Sequence, residues 1–318
     1  MQILNNTLDH MVFETKKSFG QLSIVPISTT NAARLDYLTM PEVLTKDEVN
    51  ITELDGGASV PELSITNNST GYVLLVDGEE LVGAKQNRVL NTTLIIQPGK
   101  NMRIPVSCTE AGRWEYRSKN FQDSGVVLPF RNRYNKKVSI DSELASSGKY
   151  KSNQGQVWDD ISRLEADSDS FSPTSAMRDI YESKMPSLEE FVLALQPEPG
   201  QVGMLVYFGE EIAGLEIFSK ESAFKSLAPK LIKSYAIDLL SGRGDTSPQE
   251  SYTSTDEFIS GLRSATAESY KSVGEGWDYR FSGESVTGTA LCYDEEVIHA
   301  AFYNHNLADR LNQKRSSD

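Results

Sequence analysis

The chemically capable side chains are densest between Glu79 and Trp114. Glu80 and Glu110 are carboxylates that can exchange a proton or ligate a hard metal ion. Gln86, Asn87 and Arg88 are consecutive polar residues set in an apolar run, where polar side chains must meet solvent, a partner or a ligand. Arg113 and Trp114 follow the turn residue Gly112. A guanidinium beside an indole suits clamping a phosphate and stacking on a base. An ion pair between Arg113 and Glu110 fits the same spacing. Cys108 shares strand parity with Ile104 and Val106, which points its thiol at the core as a small apolar group. Arg131 is a third arginine for phosphate. Asn153-Gln154-Gly155 enters a helix carrying Trp158, and a helix start offers free N–H groups to anions, so Gln154 and Trp158 join the candidate ligand set. Farther along, Glu216 in an apolar strand and His299 near the end are further acid–base candidates. For each of these two the plain alternative is a satisfied structural residue. No GxGxxG, HExxH, GxSxG or EF-hand pattern occurs.

The elements that must position these groups begin as strands. Residues 22–25, 49–54, 63–66, 89–96 and 102–108 have strand character. Residues 71–76 and 79–84 flank Asp77-Gly78, a signal for a tight hairpin, with the polar trio inside the strand that continues from it. Alternation then puts Gln86 and Arg88 on one face and Asn87 on the other. The scheme recurs at 204–214 and more weakly at 290–299. The middle of the chain reads as helices at 154–164, 174–184 and 187–195, with Ser187 and Glu190 as a capping box. Residues 36–47, 221–240 and 255–270 read as further helices. Regular βαβ alternation is absent. The expected class is α+β: antiparallel, hairpin-rich sheets with a helical middle segment and further helices in the C-terminal half. The expected organisation is one large domain over 1–318, divisible into a β-rich lobe at 1–150 and a mixed lobe at 151–318.

Composition narrows the function classes. The 318 residues are 38% hydrophobic, which excludes global disorder. No run approaches the roughly 20 apolar residues of a membrane span, and no basic-then-apolar leader opens the chain, so the expectation is a cytoplasmic protein with no membrane partner. Two cysteines exclude a disulfide scaffold, and three histidines argue against a histidine-rich metal site. A net charge of −14 disfavours a nucleic-acid polymer as partner. Between Lys85 and Lys151 the balance inverts, with thirteen Lys and Arg against five Asp and Glu. That segment is either a solvated face or an anion-binding surface, and the early predominance of arginine suits bidentate contact with phosphate.

At these residues the sequence resembles a bacterial family, the ADP-ribosylglycohydrolase- and rhodanese-phosphatase-associated proteins, a former domain of unknown function. The likeness covers about 20–305. It is most specific at Gly78-Glu79-Glu80 through Gly83-Ala84-Lys85-Gln86-Asn87-Arg88, and at Pro105-Val106-Ser107-Cys108 with Glu110, Gly112, Arg113 and Trp114. Gln154-Gly155, Val157-Trp158, Gly214, Glu216, Phe218, Ser234-Tyr235-Ala236 and His299 support it. The family name records genomic company. What the resemblance implies is a role near ADP-ribose or NAD-derived nucleotides, in bacterial NAD metabolism or in conflict with phages, and it carries over no catalytic residues. The leading expectation is a protein that binds a small phosphorylated ligand of that type. Arg88, Arg113 and Arg131 would contact phosphate, Gln86 and Asn87 would make directed hydrogen bonds, and Trp114 or Trp158 would stack. Glu80, Glu110, Glu216 and His299 are the acid–base set. The alternatives are a hydrolase of a nucleotide or ADP-ribosyl bond, for which magnesium is the fitting metal, and an interaction module for a partner enzyme.

Overall fold

Runs of β-branched and aromatic residues pair into antiparallel ladders wherever a turn brings two of them together. The computed structural model describes residues 2–46, 48–54, 61–113, 115–243 and 254–313. They form two units: unit 1 from 1–35, 189–272 and 276–318, and unit 2 from 36–188 with 273–275. Residue 150 lies inside unit 2. The class is α+β, with antiparallel sheets, a helical middle segment and helices in the C-terminal half. Among the described residues no helix is long and apolar enough to cross a membrane.

Unit 1 is organised on a nine-stranded antiparallel sheet. Its order runs Met11–Phe13, Leu22–Thr29, Gln201–Phe208, Glu211–Phe218, Glu296–Asn304, Val286–Tyr293, Trp277–Ser282, Thr266–Lys271, with Lys17–Phe19 also paired to Leu22–Thr29. The two hairpins expected at 204–214 and 290–299 are present. Gln201–Phe208 and Glu211–Phe218 are buried along their whole length, so both faces of the sheet centre are covered. One face packs Leu205, Leu215, Ile217, Ala300 and Phe302 against Leu4, Leu8, Phe258 and Leu262. The helix Glu221–Asp238 packs on Gln201–Phe208 and Glu211–Phe218 and continues through Pro229 without interruption. The helix expected over 255–270 stops at Ser264; Thr266–Lys271 is an edge strand, and its alternation of Thr, Glu, Tyr with smaller residues suits a pleated surface better than a helix.

Unit 2 stacks two sheets. A three-stranded sheet has the order Leu94–Ile96, Tyr72–Leu75, Tyr37–Thr39, the last pair parallel. A six-stranded antiparallel sheet has the order Gln122–Val127, Glu79–Val82, Arg88–Leu90, Asn101–Cys108, Glu62–Asn67, Val49–Glu53. Val73, Leu75, Leu81, Leu90, Leu94, Ile104 and Val106 share one apolar cluster.

Residues 36–47 hold a strand, Tyr37–Thr39, and a short helix, Met40–Leu44, in place of the single helix expected, and three further expectations are corrected in unit 2. Asp77-Gly78 is a turn but not a hairpin: Tyr72–Leu75 and Glu79–Val82 lie in different sheets. Gly78 has φ 87°, a conformation that favours glycine, and the Arg133 side chain passes 3.2 Å from where its Cβ would stand. The Lys136 ammonium ties the Asp77 carboxylate to the Leu90 carbonyl, which redirects the chain from one sheet to the next. Residues 89–96 break into two strands for the same reason. Second, Gly83–Asn87 is a loop and not a continuing strand, and Arg88 opens the next strand. Third, the helices expected at 174–184 and 187–195 are one helix, Met177–Ala194, which passes through Pro186 and leaves Ser187 interior with no cap to make. The helix Phe130–Ser147, closed by Gly148 at φ 69° with its N–H on the Leu144 carbonyl, was not foreseen; it buries Arg131, Arg133, Lys136 and Lys137, which disguises its inward face as polar.

Candidate functional site

Strand alternation in the six-stranded sheet assigns each functional side chain a side. Ile104, Val106 and Leu81 belong to the apolar cluster, which leaves Glu80, Ser107 and Thr109 on the opposite face. Glu80 is fully buried there, and its Oε1 accepts a 2.6 Å hydrogen bond from the Thr109 hydroxyl. Its Oε2 is buried with no hydrogen-bond partner among the described residues. Burial pushes the Glu80 carboxyl up to about 7, against the opposing pull of the Thr109 and Ser124 hydroxyls.

Glu110, one residue beyond Thr109, is equally buried but has the opposite electrostatics. Arg113 reaches its Oε2 at 2.8 Å and Thr174 donates to its Oε1 at 2.9 Å. The Asn87 backbone N–H adds a 3.3 Å contact. Burial raises the Glu110 carboxyl, but the hydrogen bonds from Arg113 and Thr174 outweigh it and hold the group below the usual carboxylate range. The Arg113 fork also caps the Ala84 and Glu115 carbonyls and meets the Asn87 side-chain oxygen. Two carboxylates joined through consecutive residues are thus pushed apart: Glu80 is raised to about 7, and Glu110 is held below the usual carboxylate range.

The polar trio is spent inside the protein. Gln86 donates to the Glu110 carbonyl at 2.9 Å and accepts from Arg88 Nη1 at 3.1 Å. Arg88 Nη1 also lies 2.9 Å from the Cys108 sulfur, while its Nε is buried without a partner among the described residues. Burial lowers the Arg88 guanidinium and raises the Cys108 thiol, which keeps that thiol protonated, as its core-facing parity anticipates. Gln154 clamps the strand beside them: its Oε1 accepts from the Cys108 N–H at 2.8 Å and its Nε2 donates to the Cys108 carbonyl at 2.9 Å.

The structure therefore gathers Glu80, Gln86, Asn87, Arg88, Glu110, Arg113 and Gln154 into one cluster, but not as an open strand surface. Gln86, Asn87, Arg88 and Arg113 are 5% exposed or less and bonded to each other. Glu110 is buried as well, at 1% exposure. Arg131 is buried in the helix Phe130–Ser147, and Trp158 is half-buried on Gln154–Asp167 with its indole N–H enclosed and unpartnered among the described residues. Trp114 lies outside the described residues. Thr109 and Thr174 were missed. Thr109 sits between two flagged residues and was legible; Thr174 is 64 positions from Glu110 and carries no local signal.

Unit 1 holds a second buried group. Glu216 and His299 lie on adjacent strands of its sheet, with Nε2 and Oε2 3.4 Å apart. The Tyr235 hydroxyl donates to Glu216 Oε1 at 3.1 Å. Gly214 makes this approach feasible, since a Cβ there would stand 3.0 Å from that hydroxyl and 2.5 Å from the Phe302 carbonyl. The Phe218 ring packs on His299 at 4.6 Å and also lines a pocket of about 150 Å³ with Thr29, Arg34, Ser219 and Glu296.

A family model described as the ARG and Rhodanese-Phosphatase-superfamily-associated Protein domain matches residues 10–303. The chain belongs to this family. The match runs through both units, so both buried groups are parts of the family domain. The family description is one of association with other proteins, ARG and the rhodanese-phosphatase superfamily. No curated protein and no solved structure matches the chain. Among the described residues no group of three or more His, Cys, Asp or Glu side chains is placed to hold a metal ion.

Proposed function

We propose that unit 2 binds a small phosphorylated, nucleotide-type ligand, ADP-ribose- or NAD-derived, against its buried polar cluster. The observation that supports this reading is a pair of buried side-chain atoms with no hydrogen bond in the described geometry: Glu80 Oε2 and the Arg88 Nε donor. A buried polar atom without a partner costs about 1–3 kcal/mol, a cost that a polar ligand group would offset. The family's association with ARG and rhodanese-phosphatase proteins agrees with a ligand shared with partner enzymes.

A second reading, hydrolysis of an ADP-ribosyl bond, is favoured by the split between Glu80 and Glu110. Paired carboxyls with opposed shifts divide acid from base. Protonated Glu80 would give its proton to the leaving oxygen as the bond to the ribosyl carbon breaks. Ionised Glu110 would take a proton from the water that bonds to that carbon.

Both readings are tested by incubating the protein with NAD and with ADP-ribose, with magnesium or with a chelator, and measuring bound ligand and products. Recovery of bound, unchanged ligand supports binding alone. Turnover that disappears in Glu80→Gln supports the hydrolase. Absence of any binding sinks both, and salt-sensitive capture of a partner enzyme would then favour an interaction module.

A further inference from the structure

Arg113 is taken up by Glu110, Asn87 and backbone carbonyls, and the Arg88 Nη1 by Gln86, the Asn87 carbonyl and the Cys108 sulfur, which leaves little of either guanidinium for a ligand's phosphates. The loop that carries Arg113 supplies the groups. Arg117 and Lys119 are exposed on it and Lys85 is half-exposed beside it; none of the three has an ion-pair partner among the described residues. They are brought together by the backbone: the Arg117 N–H donates to the Ala84 carbonyl at 2.9 Å, and the Ala84 N–H to the Ser118 hydroxyl at 3.3 Å. The nearby acids are Glu115, exposed on the same loop, and Glu53, whose carboxylate accepts from the Lys85 N–H at 3.3 Å.

Two exposed aromatic rings lie on this loop and on the one bonded to it. Tyr116 is 62% exposed and Phe171 81%, the most exposed aromatic side chains among the described residues. They sit on separate loops joined where the Gly112 N–H donates to the Thr174 carbonyl at 2.8 Å. Glu110 pins both loops, holding Arg113 with one oxygen and Thr174 with the other. The Phe171 loop is held rigidly: the Ser172 hydroxyl donates to Asp179 at 2.6 Å and accepts from the Ala176 N–H at 2.8 Å. It also bends through two left-handed non-glycine residues, Asp169 at φ 47° and Ser175 at φ 49°, a conformation that persists only where the surroundings impose it. A fixed loop that leaves a phenyl ring in water is an unfilled stacking platform.

We propose that the outer rim of the cluster is a nucleoside-diphosphate site, with the phosphates on Lys85, Arg117 and Lys119 and the base stacked on Tyr116 and Phe171. This rests on the nucleotide-type reading above and moves its contacts from the buried arginines to the rim. Glu110 is then a positioning residue, setting the spacing of the two loops.

The test is calorimetric titration of the full chain with ADP-ribose, ADP and inorganic pyrophosphate at low and physiological salt. The exposed positions allow variants that leave the fold alone. The double variant Arg117→Ala/Lys119→Ala is expected to weaken all three probes about tenfold or more and to flatten the salt dependence. Tyr116→Ala and Phe171→Ala are expected to weaken ADP and ADP-ribose about fivefold or more and to leave pyrophosphate unchanged. Tight ADP-ribose binding untouched by these variants overturns the rim site and leaves the ligand reading standing. Pyrophosphate binding through the rim, with nucleotides no tighter, overturns the stacking half and the nucleotide reading together. Binding of none of the probes overturns both.

Discussion

Each unit buries a carboxylate pair or its equivalent on a sheet, and the two solve the cost of doing so differently. In unit 1, Glu216 meets His299 on the neighbouring strand and Tyr235 on the covering helix. All three sit on regular elements within an apolar interior, and the group is fully buried. In unit 2, Glu80 and Glu110 gather beyond the end of the strand Asn101–Cys108, and their partners come mostly from loops: Thr109, Arg113, Thr174 and the Asn87 N–H. Groups held by helices and strands alone can be a structural lock. Groups that tie loops together around a shifted carboxyl are the arrangement on which the functional proposal rests.

The sharpest way to break this contrast is to remove the ion that holds the unit 2 loops. Arg113→Ala strands the buried Glu110 charge and is expected to cost about 3–5 kcal/mol in urea unfolding. A loss below about 1 kcal/mol would show that Glu110 does not depend on it. Next in size is the pH response of Glu80. Its folded carboxyl is pushed up to about 7 from an ordinary value of 4.5, so the folded state binds the proton more tightly than the unfolded chain. Stability should therefore fall as pH rises from about 4.5 to 7, by on the order of 3 kcal/mol. Glu80→Gln should remove that slope, matching wild type near pH 5 and exceeding it at pH 8. A variant with the wild-type slope would place the shift elsewhere. Glu110 has the opposite sign: its lowered pKa stabilises at neutral pH, and that contribution is lost as pH falls through its folded value.

In unit 1, Glu216→Ala should cost about 1–3 kcal/mol, because the buried Tyr235 hydroxyl loses an acceptor and His299 loses its neighbouring carboxylate. It should leave ligand binding by unit 2 unchanged; a loss of binding at unchanged stability would erase the distinction between the two groups. Smallest is Gln154→Ala, expected to cost about 1–2 kcal/mol from its two bonds to the Cys108 backbone, read as a lowered urea midpoint at constant slope.

Much of the strand content was legible because β-branched runs and period-two alternation are local. Residues 102–108 and the hairpins at 204–214 and 290–299 needed nothing beyond their own neighbours. The Asp77-Gly78 turn misled because turn chemistry fixes a reversal but not which sheet receives the next strand; that is decided by Lys136, 59 positions away. The helix Phe130–Ser147 was hidden because buried Lys and Arg break the apolar period that reveals a helix. For the site, residue types identified the right neighbourhood. They did not reveal that Gln86, Asn87 and Arg88 turn inward, since a polar trio in an apolar run gives the same pattern whether it meets water or its own kind. Arg117 and Lys119 were legible only as members of the basic 85–151 segment, and Tyr116 and Phe171 carried no signal, because exposure is a property of the fold.

The most direct test of the central claim is a thermal-shift panel on the full chain with ADP-ribose, NAD, cyclic ADP-ribose, mononucleotides and simple phosphates, each with and without magnesium. A cognate ligand at about 100 times its dissociation constant should stabilise the folded state by roughly 2.7 kcal/mol, a clear rise in midpoint. The account predicts a selective rise with nucleoside diphosphates that is reduced in Arg117→Ala/Lys119→Ala. A flat panel across every nucleotide would contradict it.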